Sequence, residues 1–185
     1  MRCCLNPIID SNCSIKSDPM KVIHAIVLTF VVIIIGCKEK DKEKAMTILE
    51  AEGKGILFDS LSLEYKSAVG IDTVNSVFKN ETDKEKAIIA YQNLLDDFGK
   101  FLKKNNFKWP FATTCFQKVF FREDGNIDYF LFNFLGEPPY EVSADQEKKF
   151  KELMNEFIKS YKYPVTANMK FAQCGTVVYG MKEVI

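Results

Sequence analysis

The residues of this chain that could do chemistry are few, and their types narrow the choice. The single histidine is His24, and none follows it in the 185-residue sequence. Without a histidine, residues 25–185 cannot assemble a Ser-His-Asp or Cys-His nucleophile, or any histidine-ligated metal site. Six cysteines are present. Cys3, Cys4 and Cys13 cluster near the start without zinc-type spacing. Cys37 stands alone, and Cys115 and Cys174 each fall in a strand-like run. Two thiols in adjacent strands can form a disulfide in an oxidising compartment, which would close a loop of about 60 residues and be worth roughly 4 kcal/mol. The alternative is a pair of buried free thiols. Glu123, Asp124 and Asp128 surround a turn but lack the frame of a calcium loop and read as solvated. Asp96 and Asp97, with Glu85 and Lys100, read as a charged helix face. Gly53-Lys54-Gly55 lacks the phosphate-loop frame and reads as a turn. No metal site, cofactor site or catalytic pair emerges. An enzyme using two converging carboxylates is the remaining catalytic option, and no such pair is visible. Trp109, Tyr129, Tyr140 and Tyr163 are the candidate binding surface, with Tyr140, beside Pro138-Pro139, expected to be the most exposed.

The address of the chain is easier to read than its chemistry. Met20-Lys21 starts an apolar run to Ile35, about 15 residues long where a membrane span needs roughly 20. Gly36-Cys37 and the charged segment KEKDKEK follow. A short basic start, an apolar middle and a small residue before a polar stretch describe a secretory signal over residues 20–36. Residues 1–19 then lie upstream of the better start at Met20. They read as an extension outside the native product, or as a stretch discarded with the signal.

Ile34-Ile35-Gly36-Cys37 resembles the lipobox of bacterial lipoproteins. The resemblance implies acylation of Cys37, which would become the first residue of the mature protein and be held in a membrane by two or three acyl chains. Lys38 after the cysteine, where an aspartate would imply inner-membrane retention, implies the outer membrane. Residues 37–45 then read as a polar tether, or as a Lys/Glu-rich surface-export signal of the kind seen in some Bacteroidetes lipoproteins.

Residues 46–185 are one domain's worth of chain. From Cys37 onward there are 22 basic and 23 acidic side chains. No basic stripe is present, so nucleic acid is not an expected partner. Thr82-Asp83-Lys84-Glu85 reads as a capping box, and Ile88, Tyr91, Leu94, Leu95, Phe98, Phe101 and Leu102 recur at helical spacing, which predicts a helix over 83–104. Thr114–Phe121 and Ile127–Phe134 flank an Asp124-Gly125 turn and predict a β-hairpin. Both faces of these strands are apolar, so the sheet must be covered on both sides. One cover is the helix that follows. The other is either the 83–104 helix or the hard-to-read stretch 45–79. Ser143 with Gln146 opens a second helix, 144–162. Residues 168–174 and 176–179 predict one or two closing strands, with Gly175 as a bulge or turn. The fold class is α+β, with a small antiparallel sheet packed by two helices.

The segment 112–180 resembles the C-terminal domain of TonB-type energy transducers through VFFREDGNIDYFLF, the helix end Tyr161-Lys162-Tyr163-Pro164 and a final strand. NNFKW, GNIDYFLFNF and KFAQC also resemble uncharacterised Bacteroidetes lipoproteins. The lipobox resemblance implies a lipid-anchored protein of the cell envelope, and the missing histidine and catalytic motif point to a non-enzymatic module, a reading that the TonB-like topology supports. It would bind a protein or polymer partner at a sheet edge or groove. The alternative is a carrier of a small apolar ligand in an aromatic-lined cavity.

Overall fold

The computed structural model describes residues 43–70 and 75–181. Residues 1–19, the signal segment 20–36 and Cys37 lie outside the described residues. The elements in chain order are β1 (Ala45–Thr47), α1 (Ile48–Gly53), α2 (Phe58–Glu64), β2 (Lys66–Ser67), α3 (Glu81–Lys104), β3 (Thr113–Phe121), β4 (Ile127–Phe134), α4 (Ala144–Ser160) and β5 (Phe171–Tyr179). The class is α+β, as expected, but the sheet is mixed and five-stranded, in the order β1-β4-β3-β5-β2. The hairpin β3–β4 and the pair β3–β5 are antiparallel. The flanking strands β1 and β2 run parallel to β4 and β5. The expectation of a purely antiparallel sheet fails because stretch 45–79 contributes strands as well as a cover.

The hairpin forms where its residues predict. Gly125 takes a φ of +83° at the turn, a conformation open to glycine at no steric cost. Its N–H donates to Arg122 O at 3.0 Å, and Tyr163 N–H donates to Gly125 O at 3.0 Å, so the chain leaving α4 holds the hairpin tip. A Cβ on Gly125 would stand 2.3 Å from Tyr163 O.

Alternation along the strands splits the core in two. Cys115, Val119 and Phe121 of β3, with Phe130 and Phe132 of β4, pack against α3 and α4 in the larger cluster. Phe98 of α3 and Phe150 of α4 are its hubs, their ring centroids 5.3 Å apart. Phe150 also meets Phe132 at 5.1 Å and Trp109 at 5.6 Å. On the opposite face, Phe120, Leu131 and Ala172 pack against Met46, Ala51, Leu61 and Tyr65 in a smaller cluster. Both long helices therefore lie on one face, and the stretch before them covers the other.

Several boundaries differ from expectation. The N-cap of α3 is Asn80, not Thr82: its side chain accepts the Asp83 N–H at 2.8 Å, so the helix starts two residues early. Ser143 caps α4 as expected, but the Gln146 amide donates to Lys108 O at 3.0 Å instead of returning to the cap. That helix ends at Ser160. Gly175 is neither bulge nor turn: β5 is continuous through it, with an unbroken register against β3. The tether expected over 37–45 does not extend to Ala45, which is wholly buried in β1. Of Gly53-Lys54-Gly55, Gly53 is the last residue of α1 and Lys54-Gly55 form the turn, with Gly55 at a φ of +75°.

Candidate functional site

The two edges of the sheet are built differently, and the difference locates the candidate site. At the β1 edge the outward backbone groups are taken up by side chains. Asn155, in the middle of α4, accepts the N–H groups of Lys44 and Ala45 through Oδ1, both at 2.9 Å. Its amide donates to Ala45 O at 2.9 Å. The Thr47 N–H donates to the Glu50 carboxylate at 3.0 Å, and the Thr47 hydroxyl accepts the Glu50 N–H at 3.1 Å. Lys151 pairs with Glu50 and, at 3.8 Å, with Glu43. Burial pulls the Glu50 carboxyl upward, but the Lys151 ammonium and the Thr47 N–H outweigh it and hold the group below its ordinary range.

The β5 edge is sealed only at its start. β2 pairs with Phe171 and Ala172 alone, and the Ala68 N–H donates to Ala172 O at 2.7 Å. Lys66 N–H donates to Lys170 O at 3.3 Å. The backbone of even-numbered residues of β5 therefore faces away from β3, and the backbone of odd-numbered ones faces it. Just past the seal, the Gln173 amide donates to Cys174 O at 3.1 Å and its carbonyl accepts the Val69 N–H at 3.2 Å. Among the described residues no strand covers Thr176 and Val178 on the outer side. The strand FAQCGTVVY carries no charge and no proline, the devices that normally guard a free edge.

The sheet face beside this edge is half bare. α1 and α2 cover the end with Phe120 and Leu131. Cys174, Thr176, Val178 and Asn133 are exposed, around a half-buried Phe116. Lys118 marks the boundary. Its ammonium lies 4.0 Å from the Phe58 ring centroid and donates to Ser62 Oγ at 3.1 Å, and burial lowers its pKa.

Behind the edge, on the helix-covered face, sits a buried polar group that sequence reasoning missed. Gln117 is fully buried and donates to Tyr179 Oη at 2.6 Å and towards Cys115 Sγ at 3.7 Å. Tyr91 of α3 lies over Gly175, where an added Cβ would come within 3.2 Å of its ring. Neither Tyr91 Oη nor Gln117 Oε1 has a protein partner. Burial raises the phenols of Tyr91 and Tyr179 well above the ordinary tyrosine range and pushes the Cys115 thiol up to about 12. The one available sequence signal was a glutamine on the alternating set Cys115, Gln117, Val119 and Phe121, whose other members are apolar.

The expected site residues fall apart in space and burial. Cys115 and Cys174 are both free thiols, one buried and one exposed. Cys115 stands opposite Val177 and Cys174 opposite Lys118, so the two point to opposite faces of the sheet and form no disulfide. Tyr163 is buried and donates to Ala87 O at 2.7 Å. Trp109 stacks on Tyr179 with ring centroids 5.1 Å apart. Tyr129 packs edge-on against Phe120 in the smaller cluster. Tyr140 is exposed, as expected, beside Phe111. These four do not form one surface. Asp128 accepts the Tyr65 hydroxyl at 2.8 Å and, with Asp124, lies near Arg122. Asp97 pairs with Lys100 at 3.0 Å. A shallow pocket of about 290 Å³ is lined by Phe78, Asp83, Lys86, Pro164, Val165 and Thr166, a mixed surface set and not an aromatic chamber.

Among the described residues, no cluster of His, Cys, Asp and Glu could hold a metal ion, and no helix is long and apolar enough to cross a membrane. Comparison with protein-family models, with curated proteins and with solved structures finds no match.

Proposed function

We propose that this chain is a lipid-anchored binding module of a bacterial cell envelope, acylated at Cys37 and held in the outer membrane. It takes an extended segment of an envelope protein as an added strand along β5. The observation that carries the reading is the uncovered outer side of Thr176 and Val178, beside a sheet face left half bare. In such a mode, backbone hydrogen bonds give affinity and alternate side-chain contacts give specificity. Val178 would supply the apolar contact and Thr176 the polar one, with Phe116 of β3 one strand behind them. The signal-like segment 20–36 and the lipobox-like Ile34–Cys37 support the address.

The address is tested by the intact mass of the protein from its native membrane fraction, expected to equal residues 37–185 plus acyl chains. The binding mode is tested by a photo-crosslinking residue at position 178. Crosslinks to a protein partner are expected, and Thr176→Pro, which removes an outward N–H from the edge, is expected to abolish them. Crosslinking that is indifferent to Thr176→Pro would overturn strand addition.

A further inference from the structure

The most exposed leucines of the described chain lie in its first two helices. Leu49 of α1 is 78 % exposed and Leu63 of α2 is 79 % exposed, with Leu57 at the N-cap of α2 at 53 %. Both helices bury their other sides, through Ala51 and Leu61, on the sheet. Their outward sides therefore face away from it. Two of the charges around the leucines are matched, since Lys54 pairs with Glu43 at 2.7 Å and Lys170 pairs with Glu64, while Glu52, Asp59 and Lys66 are exposed between them. This layer presents large apolar side chains outward between charged ones, a mix that suits the boundary between headgroups and acyl chains.

Chain length says which surface. Six residue steps separate Cys37 from Glu43. A chain that long reaches about 20 Å at full extension. An acyl group on Cys37 would keep Glu43, which pairs with Lys54 beside α1 and lies 3.8 Å from Lys151 of α4, within that distance of the lipid, and of the two sides it is the α1–α2 side that carries the exposed leucines. We infer that the outward side of α1 and α2 lies against the membrane, with Leu49, Leu57 and Leu63 entering the headgroup region, so that the module is seated on the bilayer in a fixed orientation. The inference rests on the acylation of Cys37 proposed above. Leucines at this depth add to the attachment without replacing the acyl chains.

The test uses the full, processed protein in vesicles of phosphatidylethanolamine and phosphatidylglycerol that contain nitroxide-labelled phosphatidylcholine. In a Cys174→Ser background, an environment-sensitive fluorophore is placed on Leu49→Cys, Leu57→Cys or Leu63→Cys, with Glu156→Cys on α4 as the reference. All four positions tolerate the change, because their side chains are exposed. Quenching and a blue-shifted emission are expected at 49, 57 and 63 and not at 156. An intact mass with acyl chains but no quenching at the three leucine positions overturns this inference alone. Quenching equal at all four positions also overturns it, since it would show an unoriented domain. A mass without acyl chains overturns both this inference and the address on which it rests.

Discussion

The β1 and β5 edges bound the same sheet, yet one is closed by side chains and the other is left open over its second half. Closing β1 engages a mid-helix asparagine, a glutamate and a lysine from two helices. A buried backbone N–H without a partner costs roughly 1–3 kcal/mol, so this closure is a condition of folding and not an ornament. On the outer side of β5 only Phe171 and Ala172 pair with a strand, and the Cys174 carbonyl accepts the Gln173 amide. The same chain thus closes one edge with side chains and, among the described residues, leaves Thr176 and Val178 at the other without a covering strand. That contrast supports the proposed binding mode more than any single exposed residue does.

The contrast can be broken most sharply with proline. Val177 directs its backbone at β3 in register with Cys115, while Thr176 directs its backbone outward. Val177→Pro removes a ladder hydrogen bond and is expected to cost more than about 3 kcal/mol. Thr176→Pro removes none and is expected to cost about 1 kcal/mol. Urea denaturation of the two variants measures both. Equal costs would mean that the outer side of β5 is covered after all.

A smaller loss is expected at the closed edge. Asn155→Leu keeps the volume but leaves two N–H groups and one carbonyl of Lys44–Ala45 without their partner, and should cost about 2–3 kcal/mol in the same assay. If it costs nothing, the β1 edge is not sealed by Asn155 and the two edges are alike.

The smallest effects near neutral pH are electrostatic, and the two edges should weaken at opposite ends of the scale. Glu50 is held below its ordinary value of 4.5, so its contribution is present above that pH and is lost as the pH falls below it. The buried phenols of Tyr91 and Tyr179 are raised above their ordinary value of 10, so their contribution is full below pH 10 and is lost as the pH rises beyond it. The alkaline limb should fall by about 1.4 kcal/mol per pH unit for each phenol that unfolding releases. Urea midpoints across pH check both limbs. Glu50→Gln should flatten the acid one and Tyr91→Phe the alkaline one.

The hairpin and both long helices were legible because each carries a complete local pattern. Aromatic strands flank an Asp-Gly turn, and α3 and α4 repeat their apolar residues over many turns. The layer from Ala45 to Ser67 was not legible, for a physical reason. α1 and α2 have six and seven residues, too few for helical periodicity to show, and β1 and β2 have three and two, too few for alternation. Their identity comes from partners far along the chain. Asn155 reads in sequence as one more polar residue on a solvent face, and nothing local marks it as the closure of an edge. The candidate site was legible only as a class. A free sheet edge was anticipated, but its residues on β5 were not, and of the four candidate aromatics Tyr163, Trp109 and Tyr129 pack into the two core clusters while Tyr140 alone is exposed.

The parallel pairing of β1 with β4 and of β2 with β5 also sets an order in time. A chain made from its N-terminus produces Lys66 and Ser67 about 105 residues before Phe171 and Ala172, the strand they pair with. Contacts between such distant residues form slowly, because the intervening chain must be ordered first. Of the layer that emerges first, β2 is thus the last part to find its partner. A molecule ending just before β5 lacks the partner of β2, although β4, the partner of β1, has already been made.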